Sequence, residues 1–566
     1  MRAAGMARGM RAGGMGRASP LAPLTVAALL VLVALPVLFV VLQAVFPRLG
    51  AGSLAAPFSA LGPALADPRL PGLLGNTLAL GLSVVALSAV IALPLGACRA
   101  LFRIPLAPLW DLLFLLPFML PPYIATLGWI AALQPRGYLQ QLVGFNLAGF
   151  LFSMPGIAVV IALHAFPVVY FAVSRTLEAV GGRLADVARV FGASPWRAFG
   201  RVTLPLAWPG LAASLLLVFA MAVEEYGTPA ALGRSFGFEV LVTAIDHRVS
   251  DWPIDLPGAA TLSLILVLLS VAAFALQWRL LARRSFETTA GKPQPLNKRP
   301  LGRWAVPVLG GFTVAAILAT LLPIAAILAA ALARRVSGGL ALNNLGLQNF
   351  AAILGEGSDA WQALLNSLLL GLAAALLTGV LGTAAAVLMV RGQMRGRAAL
   401  DALAMLPNAL PGIVVAVGLI LAWNQPALPI TPYNTPLILI LAYGCILLPY
   451  PLRYAQAALR QIGPNLEAAA RVSGATPWRV MLRVLVPLMA PSLVAAMLLV
   501  FAVAARELVA SLLVAPVGML TVAGFIWRQF EQGSVGVGMA MAFVALAVTT
   551  LLPLTVLAVL RRAEQP

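Results

Sequence analysis

The stretch ARVFGASPWR, residues 188–197, recurs as ARVSGATPWR at residues 470–479, with eight of ten positions identical. The two copies lie in a chain of 566 residues, of which 61% are hydrophobic and only 10% are charged. Soluble domains carry about 25% charged residues, so this composition indicates a membrane protein with many spans. A basic, proline-containing segment that occurs twice in such a chain predicts two repeated halves.

The net charge of +19 does not indicate a nucleic-acid partner. The basic residues separate apolar runs instead of lining one face, as in membrane proteins whose cytoplasmic loops collect Lys and Arg. The cysteines and histidines are few and scattered: Cys98, Cys445, His164 and His247. We therefore expect no disulfide, metal site or cofactor, and no catalytic residues, since no paired nucleophile and base stand out within the spans.

Apolar runs of about 20 residues, the length that crosses a bilayer, predict twelve transmembrane helices. They cover residues 21–46, 72–97, 109–133, 149–174, 208–232, 257–281, 304–332, 362–390, 400–423, 434–458, 490–514 and 539–561. Residues 1–20 are predicted to be a disordered cytoplasmic tail, in which several methionines could be the true start. With both termini in the cytoplasm, the inside segments hold 28 of the 37 Lys and Arg residues, which favours this orientation.

The repeats predict an all-α polytopic membrane protein with two six-helix halves. A first half at 21–281 and a second at 304–566 are joined by a polar, basic, Pro-rich cytoplasmic linker at 282–303. The segment WDLLFLLPFMLPPY at 110–123 pairs with LDALAMLPNALPGI at 400–413. Six spans in each half place both halves in the membrane the same way, so the pseudo-twofold arrangement is parallel, about an axis along the membrane normal.

Each copy of the opening repeat is predicted to form a helix, a tight turn and a second short helix. A glycine suited to the left-handed conformation ends the first helix. A Ser or Thr then caps the second helix, which starts with proline and continues with Trp-Arg. These residues are Gly192, Ser194, Pro195, Trp196 and Arg197 in the first copy, and Gly474, Thr476, Pro477, Trp478 and Arg479 in the second. Amphipathic loops obeying the positive-inside bias would explain the arginines, but not the repeated spacing of the other residues.

Both segments resemble the EAA loop of ABC-importer permeases, the cytoplasmic coupling helix that docks onto an ATP-hydrolysing subunit. In that family Glu-Ala-Ala precedes a glycine, and a hydrophobic-Pro pair follows about a dozen residues later; here Gly192 to Pro205 and Gly474 to Pro487 are both thirteen residues apart. The Glu-Ala-Ala element is imperfect in both copies. The resemblance implies docking loops at about 177–206 and 459–488. It implies contacts from Asp186, Ala188, Glu467 and Ala470, in addition to the ten Gly, Ser or Thr, Pro, Trp and Arg residues named above.

The fusion of two halves most resembles the bacterial ferric-iron permeases, to which LPPYIATLGWI (120–130) and RELVASLLVAP (506–516) are similar. The resemblance implies a type I ABC importer-like fold in the bacterial inner membrane, surrounded by lipid. Its implied partners are two copies of a cytoplasmic ATP-binding subunit and a periplasmic substrate-binding protein. Thiamine, polyamine or phosphonate remain alternative cargoes, and a secondary transporter driven by an ion gradient remains an alternative class.

The chain carries no phosphate-binding loop of its own. Such a loop needs Gly, four residues and Gly-Lys-Ser/Thr, and the only Gly-Lys pair, Gly291-Lys292, is followed by Pro. We therefore expect the chain itself not to be an enzyme, and ATP hydrolysis to belong to a separate subunit.

Two features are candidates for a translocation pathway. Prolines inside the third span of each half break the helix and free backbone carbonyls, notably Pro121, Pro122 and Pro411. Glu225 and Glu507 lie near the outer end of the fifth spans, and acids at membrane depth are costly enough to suggest a function. Their hard oxygens suit Fe³⁺, although a structural role, such as an ion pair with Arg506, explains them equally well.

Overall fold

The computed structural model describes residues 21–180, 183–282, 298–335, 338–355, 357–392, 396–426 and 428–563. The predicted tail at 1–20 and most of the predicted linker, 283–297, lie outside these residues. The described chain is helical, and its β structure there amounts to two isolated bridges, Phe102 with Arg299 and Ala333 with Leu345. Helices satisfy their own backbone hydrogen bonds, as a segment surrounded by lipid must.

Among the described residues, twelve spans, named α1 to α12, are found if each bent helix pair is taken as one span. In chain order they are Ala22–Val45, Leu70–Leu101, Ala107–Met119 with Pro122–Val143, Met154–Ala179, Gly200–Glu224, Leu256–Leu280, Gly302–Leu332, Asp359–Val390, Arg397–Ala409 with Gly412–Trp423, Pro436–Leu447 with Pro449–Gln461, Pro477–Ala504 and Val535–Val556. The shorter helices outside these spans include Leu61–Leu65, Ala148–Leu151, Arg183–Val190, Pro195–Ala198, Gly227–Gly233, Leu241–Ser250, Gln348–Leu354, Pro464–Val472, Val509–Val514 and Val522–Glu531. The predicted all-α, multi-span architecture is confirmed.

The fifth span of each half differs from the sequence prediction. Hydropathy placed these spans at 208–232 and 490–514, whereas α5 ends at Glu224 and α11 ends at Ala504. Each also begins earlier than predicted, because the short helix of the repeat passes through a π-helical turn directly into the span. Hydropathy alone does not detect these ends, since apolar residues continue beyond both helices in separate short helices.

The third span of each half is sharply broken at proline. The two segments of α3 meet at 100° around Pro121 and Pro122, and those of α9 meet at 111° around Pro411. Proline has no N–H to donate and its ring clashes with the preceding turn, so the helix cannot continue straight through these positions. The carbonyls freed at each break need donors from elsewhere in the protein.

The first span of each half packs against the broken span of the other half. The helix α1 runs along the second segment of α9, and α7 runs along the second segment of α3. Glycine allows these backbones to approach closely: a Cβ on Gly128 would lie 2.6 Å from the carbonyl oxygen of Pro323, and a Cβ on Gly418 would collide with that of Pro36. The two contacts occupy corresponding positions of the repeat, so the halves interlock twice.

We expect Gly128→Ala and Gly418→Ala each to lower the free energy of unfolding by about 1–3 kcal/mol, because the added methyl group meets backbone that cannot rotate away. Gly412→Ala is the matched control, since a Cβ there would find its nearest neighbour, Cδ1 of Ile446, at 3.7 Å. Thermal unfolding of the purified protein in detergent measures the difference. Equal melting temperatures for all three variants would contradict the close contact.

Candidate functional site

The two repeat segments have the same backbone conformation. Gly192 and Gly474 are left-handed, with φ of +86° and +82°. The N–H of the residue after each glycine donates to the carbonyl of Ala188 or Ala470, at 3.0 Å in both copies. Glycine adopts this conformation at little cost, and the bonds satisfy carbonyls left open at the helix end. The predicted helix stop is therefore present twice.

The predicted caps of the second short helix are also present. Ser194 Oγ accepts from the backbone N–H of Arg197 at 3.3 Å, and Thr476 Oγ1 accepts from that of Arg479 at 3.4 Å. The capped helices are Pro195–Ala198 and Pro477–Val480. The side chains of Asp186, Pro195 and Trp196 lie outside the described part of the structure.

Apolar side chains stand exposed on both segments. Val190 and Phe191 are 84% and 86% exposed in the first copy, and Val472 is 82% exposed in the second. Trp478 is 57% exposed beside the exposed Arg479. Contiguous exposed apolar surface rimmed by charge is typical of a protein-binding site.

Glu467 does not lie on this surface, although the sequence placed it among the docking contacts. It is 7% exposed, and its carboxylate forms an ion pair with Arg391 at the end of α8. Arg391 also donates to the carbonyls of Leu459 and Ile462, at 2.9 and 2.6 Å. The buried Glu467 therefore anchors the second segment to α8. The sequence motif did not predict this, because it gives the residue type but not the direction in which the side chain turns.

The first segment is anchored by different residues. Glu178 lies 2.9 Å from Lys298 Nζ and 3.9 Å from Arg99. Arg99 donates to both oxygens of Asp111, which also accepts from Tyr170 Oη at 2.7 Å. Glu178 and Lys298 are 120 residues apart, so local sequence patterns contain no signal for this pair.

A cavity of about 320 Å³ lies between the two halves. Its wall combines the break of α3, the residues that end α5 and α11, and the start of the second segment of α10. Four of the five predicted pathway residues line it: Pro121, Pro122, Glu225 and Glu507. Pro411 is not among its lining residues. The structure thus brings together two acids that the sequence separates by 282 positions.

The carboxylates of Glu225 and Glu507 both bind backbone N–H groups of the short helix that follows them. Glu225 Oε1 accepts from the N–H and hydroxyl of Thr228, at 3.0 and 3.3 Å. Glu507 accepts from three N–H groups, those of Val509, Ala510 and Ser511, at 3.0, 2.8 and 3.3 Å. Acids stabilise helix N-termini in this way. The bonds supply a structural role for each acid, while the pathway role stays a prediction.

We expect Glu507→Gln to lower the free energy of unfolding by about 1–3 kcal/mol, because the new amide NH₂ group would face N–H donors. Glu225→Gln should cost less, under about 1 kcal/mol, since both bonds from Thr228 end on Oε1, an oxygen that the amide retains. Thermal unfolding of both variants, followed by tryptophan fluorescence, makes the comparison. A larger loss for Glu225→Gln would show that the caps do not decide stability.

The residues preceding these acids differ in charge between the halves. In the second half Arg506 is 5% exposed and donates to the carbonyls of Ala502 and Met119, the latter at the α3 break of the first half. In the first half the corresponding residue is Glu224. The ion pair suggested between Arg506 and Glu507 is not found within 4.0 Å in the described chain, because Arg506 binds backbone instead.

The described helices define a multi-pass membrane protein built from two repeated halves with one exposed loop segment each. Residues 9–286 and 379–565 match the family described as binding-protein-dependent transport system inner membrane component, and the chain belongs to this family. It is a family of transport permeases, not of enzymes. The predicted fold class and multi-pass inner-membrane location are confirmed.

Three relatives illustrate the similarity. A putative ferric transport system permease protein of Haemophilus influenzae is 29% identical over 401 residues, which cover 68% of this chain and 61% of the relative. A ferric transport system permease protein of Actinobacillus pleuropneumoniae is 28% identical over 448 residues, which cover 77% of this chain and 63% of the relative. The match thus spans less than two thirds of the length of either relative.

The third relative corresponds to about half of this chain. A putative 2-aminoethylphosphonate transport system permease protein of Salmonella paratyphi A is 29% identical over 266 residues, which cover 47% of this chain and 98% of the relative. Less than half of this chain thus matches almost the whole length of this relative, which fits the organisation of the chain in two halves. The resemblance to ABC-importer permeases of the ferric-iron type, drawn from the residues, is confirmed by the family and the first two relatives.

Proposed function

We propose that this chain is the membrane permease of an ATP-driven importer, with the segments 177–206 and 459–488 docking onto two copies of a cytoplasmic ATP-binding subunit. The observation that carries this proposal is the repeated geometry: the same left-handed glycine, closing bonds and capped short helix occur once in each half. Two equivalent exposed elements suit two copies of one partner. The absence of a phosphate loop from the sequence supports a separate source of energy.

The division of the chain into a first half at 21–281, a linker at 282–303 and a second half at 304–566 is part of this proposal. Both termini and both docking segments face the cytoplasm, supported by the excess of Lys and Arg in those segments. A periplasmic binding protein delivers the cargo on the opposite side, in keeping with the family description.

Ferric iron is the proposed cargo. Two of the relatives are named as ferric transport permeases, and the cavity between the halves is lined by three glutamates and a single arginine. An excess of carboxyl groups favours a cation, and hard oxygen donors suit Fe³⁺. The same excess disfavours a phosphonate anion, although one relative is named for 2-aminoethylphosphonate.

Force from ATP hydrolysis reaches the cavity along continuous helices. The short helix of the second segment joins α11 without a break, so one helix of 28 residues runs from Pro477 to Ala504. At 1.5 Å per residue it is about 42 Å long, and its far end lies beside Arg506 and Glu507 in the cavity wall. Closure of the ATP-binding subunits would move α11 and the corresponding helix α5, and would switch the opening of the cavity from one side of the membrane to the other.

Gly192→Val combined with Gly474→Val tests the docking proposal. A β-branched residue is strained at these positive φ values, so we expect both exposed turns to distort and co-purification with the ATP-binding subunit to fall at least tenfold. Gly200→Ala combined with Gly463→Ala is the matched control, because a Cβ at either position meets open space and neither φ is positive.

Co-purification and ATPase activity in proteoliposomes are measured for both double variants. The control should behave as the unmodified protein does. Unchanged association and unchanged cargo-stimulated hydrolysis in the Gly192/Gly474 variant, when its protease accessibility shows that the exposed turns are distorted, would defeat the docking proposal.

A further inference from the structure

Among the three glutamates that line the cavity, Glu224 is the one whose carboxyl group lacks a hydrogen-bond partner within the described residues. Its Oε1 atom is buried without a hydrogen-bond partner, and its carboxyl group forms no ion pair within 4.0 Å in the described chain. Glu225 and Glu507, which line the same cavity, both bind backbone N–H groups. Glu224 therefore differs from its two acidic neighbours in having no visible structural role.

Two further polar atoms of the cavity wall lack partners. Within the part of the chain that the structure describes, the hydroxyl of Tyr123, a residue only 2% exposed, makes no hydrogen bond, and neither does Nδ1 of His164. Tyr123, His164 and Glu224 all line the cavity. A buried polar group without a partner costs about 1–3 kcal/mol, so a cargo that contacts such a group in the cavity would recover part of that cost.

The charge of the wall selects the class of ligand. Arg506, the single arginine of the lining, already donates to the carbonyls of Ala502 and Met119. A carboxyl, a phenol and an imidazole nitrogen are electron-pair donors for a hard or intermediate metal cation. An anion would find no comparable set of unpartnered donors here.

We propose that Glu224 forms a transient contact site in this cavity for a multivalent cation crossing the membrane. The identity of that cation as ferric iron rests on the proposed function, whereas the site itself rests on the cavity and its unpartnered groups. No group of three or more His, Cys, Asp or Glu side chains able to hold a metal ion is found in the described chain. A contact of few ligands suits passage, which requires that the cation also leave.

Because neither Glu224 Oε1 nor the Tyr123 hydroxyl has a hydrogen-bond partner among the residues that the structure describes, changing these groups should spare the fold. We expect Tyr123→Phe to unfold at the temperature of the unmodified protein or above it, since it removes an unsatisfied buried hydroxyl. Glu224→Gln should unfold at a similar temperature, since it breaks no hydrogen bond of the carboxyl group and replaces a group that can carry a charge with a neutral one of the same size. Glu507→Gln, which loses helix-capping bonds, should unfold earlier. This difference separates a cargo contact from a structural residue.

The binding test uses Tb³⁺ alone as a trivalent probe, titrated into the full-length protein in nanodiscs and followed by its luminescence. We expect Glu224→Gln to raise the apparent Kd at least tenfold. Asp359→Asn is the control, because this acid lies 64% exposed in an ion pair with Arg528 outside the cavity. An equal Kd for Glu224→Gln and the unmodified protein would overturn the proposed site.

The transport test uses the complete complex in proteoliposomes with ⁵⁵Fe(III) supplied on the binding protein. We expect Glu224→Gln to reduce uptake at least tenfold while ATP hydrolysis in response to the loaded binding protein persists. Normal uptake by Glu224→Gln would overturn this inference and leave the proposed function intact. Absence of ⁵⁵Fe uptake by the unmodified complex, with Tb³⁺ binding still dependent on Glu224, would overturn the cargo assignment and leave the site.

Discussion

The close approach of each broken third span to the first span of the opposite half is the contact on which the rest of the structure depends. Gly128 beside Pro323 and Gly418 beside Pro36 let backbone meet backbone across the pseudo-twofold axis. Small residues promote such packing in membranes, where the hydrophobic effect does not drive helices together. The interlock brings the α3 break of the first half within reach of Arg506 from the second, and this contact closes one side of the cavity.

The two halves share a backbone plan but differ in the charges placed on it. The docking segments repeat their turn and cap bond for bond, yet one is anchored by Lys298 and Glu178 and the other by Arg391 and Glu467. Similarly, Glu225 and Glu507 repeat a helix cap, whereas the residues before them are an acid and a base. The shared features suit the proposed docking of two copies of one partner, whereas the charge difference at Glu224 and Arg506 makes the cavity wall asymmetric.

The sequence was sufficient for features that depend on local spacing. The left-handed glycines, the Ser194 and Thr476 caps and the proline breaks follow from backbone chemistry that acts within a few residues. The ends of α5 and α11 were predicted wrongly, because hydropathy does not distinguish a span from the short helix after it. The direction of Glu467, the pairing of Glu178 and the isolation of Glu224 depend on contacts between distant segments, which spacing does not encode.

The proposed function makes the chain a gate that separate ATP-binding subunits move. The most direct measurement is ⁵⁵Fe(III) accumulation in proteoliposomes that contain the chain with binding protein and ATP, with or without the ATP-binding subunits. Accumulation against a gradient only when the subunits are present is the predicted result. Uphill accumulation by the chain without them would contradict the account.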